Sequence, residues 1–202
     1  MSFETLAFPS VLIVTLTSLL LLISRNWRWS ILALALQYIG VFLLVAPHWP
    51  IEMAVTKIVA GWMAGAVLGI AISEAVVASP DKWSDTDKFS PSGYVFRLLA
   101  AGLVGLVVLS SAPNILGWIP GATLPLMWGS LILIGNGLLH LGLSTQPLRV
   151  VLGLLTIMSG FEILYSAVET STLVAGLLAA VNLGLALIGA YLIMAPYVEE
   201  NE

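Results

Sequence analysis

Residues 51–79, IEMAVTKIVAGWMAGAVLGIAISEAVVAS, form one apolar run interrupted by Glu52, Lys57 and Glu74. A membrane-spanning helix needs about 20 consecutive apolar residues, so this run is longer than a single bilayer crossing and predicts a tilted or projecting span. Lys57 stands well inside it, where a charged side chain costs roughly 2.5–3.5 kcal/mol on insertion scales. A cation in that position requires a partner or a route to water, and it is the first candidate functional residue.

The whole chain has the same character. Its 202 residues are 59% hydrophobic and 9% charged, and its mean hydropathy is +1.05, outside the range of a domain that folds in water. The length accommodates six or seven spans with short connections and no separate aqueous domain, so residues 1–202 read as a single all-α membrane domain whose solvent is the lipid bilayer. The sequence contains no cysteine, which excludes disulfides, thiolate nucleophiles and iron–sulfur ligation. His48 and His140 fall near opposite ends of different predicted spans and cannot share a haem, so no metal or other cofactor is expected. The net charge of −4 comes in part from the tail Glu199, Glu200 and Glu202, and no basic surface for nucleic acid is present. The first apolar segment has Glu4 and no Lys or Arg before it, unlike a signal peptide, and is expected to be a retained span.

Pro, polar and charged breaks divide the chain into seven predicted spans, at about 6–24, 29–46, 51–79, 93–111, 122–143, 148–168 and 171–195. Arg25 and Arg28, Lys82 and Lys88 with Arg97 nearby, and Arg149 mark alternate connections on one side. The connections at His48–Pro50, Ala112–Gly121 and Glu169–Thr170 carry no Lys or Arg. The positive-inside rule then predicts an outside N-terminus and a cytoplasmic C-terminus. The one longer cytoplasmic connection, SPDKWSDTDKFSPSGY (79–94), is expected to be a surface loop or partner contact. Trp27, Trp29, Trp49, Trp83 and Trp118 cluster near span ends, as interfacial aromatics do. Gly61, Gly65 and Gly69 form a small-residue stripe that lets another helix approach, and Gly176, Ala180 and Gly184 repeat the pattern in the seventh span.

The polar residues inside spans are Gln37, Lys57, Glu74, Asn136, His140, Glu162 and Asn182, and lipid offers none of them a hydrogen-bond partner. Lys57 lies about 9 Å inside the outer end of its span. Glu162 lies at a similar depth in the sixth, so the two can pair, each offsetting the cost of burying the other. The alternative for Lys57 is to snorkel to the outer interface. Glu74 is about 25 Å from Lys57 along the same helix and cannot reach it. Glu169, seven residues after Glu162, is either the outer end of a proton path or a solvated carboxylate at a helix end. His140 is either a proton shuttle or a residue satisfied by a carbonyl. Gln37, Asn136 and Asn182 read as interhelical hydrogen bonds that fix register, at about 1 kcal/mol each. No nucleophile–base constellation and no phosphate-binding glycine loop occurs.

The stretch GLLTIMSGFEILYSAVE (153–169), preceded by STQPLRVVL (144–152) and followed by AAVNLGLALIGAYL (179–192), resembles the K subunit of respiratory complex I. It is similar as well to the C subunit of Mrp-type sodium/proton antiporters and to the C-terminal end of membrane component E of hydrogenase-4. In that family a Gly-x-Glu motif places a carboxylate in the middle helix of a three-helix unit, and Glu162 matches it. The stretches SRNWRWSILALALQYIGVF (24–42) and AVTKIVAGWMAG (54–65) resemble component E, with Gln37 and Lys57 at its Gln and Thr-Lys positions. A second carboxylate, common in the last helix of K subunits, is replaced here by Ala180.

The resemblance implies component-E-like helices over 1–111 and a K-subunit-like unit over 122–195. It implies an accessory, non-catalytic subunit in the plasma (inner) membrane of a prokaryote, docked beside antiporter-like subunits of a larger complex. There Glu162, with Lys57, His140 and Glu169, would serve an intramembrane proton path. A structural scaffold subunit of a respiratory or photosynthetic complex and a small stand-alone transporter are the competing readings, and the latter lacks the internal repeat expected of it.

Overall fold

A computed structural model describes residues 6–79 and 91–198. Among them are seven α-helices and no strand: α1 Ala7–Ile23, α2 Trp27–Val45, α3 Ile51–Ala78, α4 Pro91–Ile115, α5 Leu124–Leu143, α6 Pro147–Val168 and α7 Thr172–Val198. Six of them are long and apolar enough to cross a bilayer, and α1, with 17 residues, sits at the lower length limit of a span. The chain is therefore a multi-span helical membrane protein. The basic positions Lys82 and Lys88, Trp83, most of the 79–94 connection and the tail Glu199, Glu200 and Glu202 lie outside the described residues.

Local sequence explains most helix boundaries. Asn26 caps α2 by accepting a hydrogen bond from the Arg28 backbone N–H at 2.9 Å, supplying a partner that lipid cannot. Proline occupies the first turn of α5 and of α6, where its missing N–H costs nothing. The difference from the sequence reading is α4, which continues through Pro113 to Ile115 instead of ending at 111. A proline that close to a helix end removes one backbone bond, and continued helix keeps the surrounding carbonyls paired in an apolar medium.

Six helices close into a ring in the order α1, α2, α3, α7, α6, α5, with α2 also touching α6 across the middle and α4 laid outside against α5 and α1. Two apolar cores fill the ring. One gathers Tyr38, Leu68, Ile72, Leu152 and Leu155 between α2, α3, α6 and α7. The other gathers Val14, Val41, Met127, Leu133 and Ile163 between α1, α2, α5 and α6. Outward faces carry Leu12, Leu16, Val59, Leu99, Leu103, Leu187 and other exposed apolar residues, the surface that lipid covers.

The closest helix pairing is α5 on α6. A Cβ placed on Gly160 would stand 2.7 Å from the Ser130 carbonyl oxygen, and one on Gly137 would stand 2.9 Å from the Gly153 carbonyl oxygen, so the two backbones are in contact. Gly61 serves differently: it seats the ring of Tyr38, on which any Cβ would fall. The stripe in the last span has no helix against it, since Gly176 and Gly184 face open space. The helix does its close packing instead at Gly189, against Val151 and Leu68.

Replacing Gly160 by Val should push α5 from α6 and destabilise the bundle by about 1–3 kcal/mol or more. Thermal unfolding in detergent should show a lowered Tm; an unchanged Tm would remove backbone contact as the reason for glycine there.

Candidate functional site

The polar side chains of α2, α3, α6 and α7 meet between the two cores, with Tyr38 and Leu155 on one side and Trp49, Ala54 and Ile163 on the other. On α3, Lys57 points into the bundle from among Ala54, Ala60, Gly61 and Ala64, all buried, and these small neighbours leave room for its long stem. On α6, contact at Gly160 sets the helix against α5, and Glu162 emerges two residues on, facing α3. Lys57 Nζ lies 3.0 Å from Glu162 Oε1 with both side chains at 0% exposure. Snorkelling is thus not the solution the chain adopts. Asn182, from α7, donates its Nδ2 to the same Oε1 at 2.9 Å, so one carboxylate oxygen joins three helices.

Trp49 closes the cluster from the end where the 46–50 connection lies. Its ring centroid is 5.3 Å from Lys57 Nζ, a cation–π contact that strengthens when desolvated. Its indole Nε1 donates to the Glu169 carbonyl at 2.8 Å, and its ring meets Tyr165 edge-on. Trp49 is 4% exposed, so it is a cover over the ion pair and not the interfacial anchor that its place near a span end suggested.

Several buried atoms of the cluster make no hydrogen bond: Glu162 Oε2, Asn182 Oδ1, Gln37 Oε1 and the Tyr38 hydroxyl. Leaving such a group unpaired costs about 1–3 kcal/mol. Gln37 Nε2 reaches Thr156 Oγ1 at 3.5 Å, and the Tyr38 hydroxyl is directed toward Ser159 and lies in the field of Glu162. Thr156, Ser159 and Glu162 follow one face of α6, so the ion pair continues into a polar ladder toward the middle of the bundle.

The other predicted residues are placed elsewhere. Asn136 of α5 donates to Ser18 Oγ of α1 at 2.8 Å and fixes that crossing. His140 is buried near the far end of α5, beside Arg149 and Arg97. Arg149 precedes Glu162 by 13 residues on α6, about 20 Å, so His140 is not part of the Glu162 cluster. Glu169 is exposed and accepts from the Thr170 N–H at 3.1 Å; its link to the pair runs through Trp49 and its own backbone carbonyl. Glu74 is exposed near the end of α3 and is not brought to the site.

The sequence reading did not single out Tyr38, Trp49, Arg97 or Arg149 as structural centres. Arg97 and Arg149 look like topogenic charges, yet both are buried. Arg97 donates to the Leu22 carbonyl at 3.0 Å and to the Leu143 carbonyl at 3.1 Å. Arg149 donates to the Ser24 carbonyl at 3.0 Å. Cations on the last carbonyls of helices satisfy orphaned acceptors and complement the helix dipole, so these two residues clasp the ends of α1 and α5. The signal for Tyr38 was available in the pairing of a bulky ring on α2 with a glycine one turn beyond Lys57.

Removing one member of the ion pair should be far worse than removing both. Lys57→Leu or Glu162→Leu alone leaves an uncompensated buried charge and should cost about 3–5 kcal/mol, whereas the double variant should recover much of it. Unfolding in detergent provides the comparison, and single variants as stable as the parent would contradict the pairing.

No protein-family model matches this chain, and neither a curated protein nor a solved structure matches it significantly.

Proposed function

We propose that this chain is an accessory membrane subunit of a proton-translocating complex of the complex I, hydrogenase-4 or Mrp-antiporter type, in the plasma membrane of a prokaryote. In this reading it docks beside antiporter-like subunits and contributes Glu162 to their intramembrane proton path. The observation that carries the proposal is the ion pair: Lys57 and Glu162 are wholly buried at 3.0 Å, while the second carboxylate oxygen has no hydrogen-bond partner.

A carboxylate held by a single lysine can take up a proton if the lysine is stabilised in another way, and the ring of Trp49 supplies that second stabilisation. The resemblance of the 153–169 stretch to the Glu-bearing helix of K subunits supports the same role. So do the resemblances around Gln37 and Lys57, because Lys57 and Glu162 come from the two halves of the chain that carry the separate likenesses. Redox centres would reside on other subunits.

A scaffold role is the second reading, favoured by the way Glu162 Oε1 pairs with the Lys57 ammonium and accepts from Asn182 and so ties three helices together.

Two experiments separate them. Tagged chain extracted from its native membrane in mild detergent should bring down large antiporter-like subunits, identified by mass spectrometry; recovery alone would count against the complex. In the same complex Glu162→Gln should reduce proton translocation several-fold while the subunit stays bound. Undiminished translocation would leave the scaffold reading standing.

A further inference from the structure

The Lys57–Glu162 pair lies much nearer one membrane face than the other. Lys57 is six residues from the start of α3 at Ile51 and 21 from its end at Ala78, about 9 Å against about 31 Å of helix. Glu162 is six residues from the end of α6 at Val168 and 15 from its start at Pro147, about 9 Å against about 22 Å. Both short distances run to the face of the 46–50 and 169–171 connections, the outer face in the predicted topology. On the far side the pair is backed by Tyr38, Ala64, Leu68 and Leu155, all fully buried. On the near side the surface begins within one residue of Trp49, since Pro50, Glu169 and Thr170 are exposed.

Trp49, 4% exposed, fills the layer that remains. Three contacts hold its ring there. The indole Nε1 donates to the Glu169 carbonyl at 2.8 Å, the ring meets Tyr165 edge-on with centroids 6.5 Å apart, and Lys57 Nζ stands 5.3 Å from the ring centroid. The backbone beneath it is a single turn, fixed by the Trp49 N–H on the Val45 carbonyl at 3.1 Å and bounded by Pro47 and Pro50. Side-chain rotation is therefore the way in which the ring leaves its place.

We propose that Trp49 is the gate between the ion pair and the outer aqueous face, and that the charge of Lys57 holds it shut. With the ring inward, water is kept from the pair. With the ring turned outward, less than two turns of helix separate the pair from solvent. The hydrogen bond to Glu169 ties the gate to the end of α6, and the cation–π contact, stronger where water is excluded, ties it to the ammonium. Loss of that charge frees the ring. That a proton is what passes the gate rests on the role proposed for Glu162.

The chain contains no cysteine, so a single Ala54→Cys reports on water at the pair. Ala54 is fully buried one turn before Lys57 and shares a core with Trp49. In the full chain reconstituted in lipid vesicles, a charged, membrane-impermeant thiol reagent is added to one side at a time. Labelling should be slow in Ala54→Cys alone. Adding Trp49→Ala should raise the rate from the outer side about tenfold or more and leave the rate from the inner side unchanged. Adding Lys57→Leu with Glu162→Leu should raise it as well, because the ring is present but its cation is gone. Trp49→Phe, which keeps a ring over the ammonium and loses the N–H, should give a smaller rise. These last two variants keep a ring in place and carry the test even where Trp49→Ala does not fold. A rate that none of the Trp49 variants changes, or a rise equal from both sides, overturns the gate. An unchanged rate in the double variant overturns the hold by Lys57. Labelling reads the gate without proton movement, and translocation in Glu162→Gln reads the proton path without the gate, so each can fail alone.

Discussion

The bundle is organised around the cost of holding a charge where there is no water. Neither Lys57 nor Glu162 is tolerable alone at that depth, so α3 and α6 must be placed where the two side chains meet. That requirement propagates outward. Gly160 allows α6 to touch α5, small residues around Lys57 leave space for its stem, and Asn182 brings α7 to the same oxygen. Trp49 then folds its ring over the ammonium. These contacts draw on four helices and one connection, and the helix order around the ring is the order that lets them all be made.

Packing and polarity divide the work between the two cores. The core between α1, α2, α5 and α6 buries small hydroxyls such as Ser10, Thr17 and Ser130, with the Asn136–Ser18 hydrogen bond linking two of its helices. The ion pair lies between this core and the one built around α2, α3, α6 and α7. Polar groups left unpaired inside a protein mark places where stability has been given up. Around the ion pair they come from three helices, with Gln37 and Tyr38 on α2, Glu162 on α6 and Asn182 on α7, and others such as Asn136 and Trp128 lie on α5.

Much of this was legible in the sequence. Span number followed from apolar run lengths, and the Lys57–Glu162 pairing followed from two intramembrane charges of opposite sign at matching depth. Asn182 and Asn136 do join helices as expected. Other features were hidden for physical reasons. Trp49 lies at a span end, where a tryptophan ordinarily faces the lipid headgroups, and only the three-dimensional approach of α3 and α6 turns it inward. Arg97 and Arg149 have the sequence positions of topogenic charges, and their role as carbonyl ligands depends on where unrelated helices end. The glycines at 61, 65 and 69 share one spacing, yet Gly61 receives a ring whereas Gly65 and Gly69 make ordinary contacts with α2. Spacing alone does not say what fills the groove.

The Arg97 clasp has a consequence for the order in which the protein is built. Two of its acceptors lie 75 residues before it and 46 residues after it in the chain. When α4 leaves the ribosome, the end of α1 is already in the membrane but the end of α5 has not been synthesised. At about 5–20 residues per second, that second acceptor arrives some seconds later. Helix α4, most of whose surface faces lipid, therefore gains its hold on the end of α5 only when α5 is complete, so that bond records the moment at which the first five helices have come together.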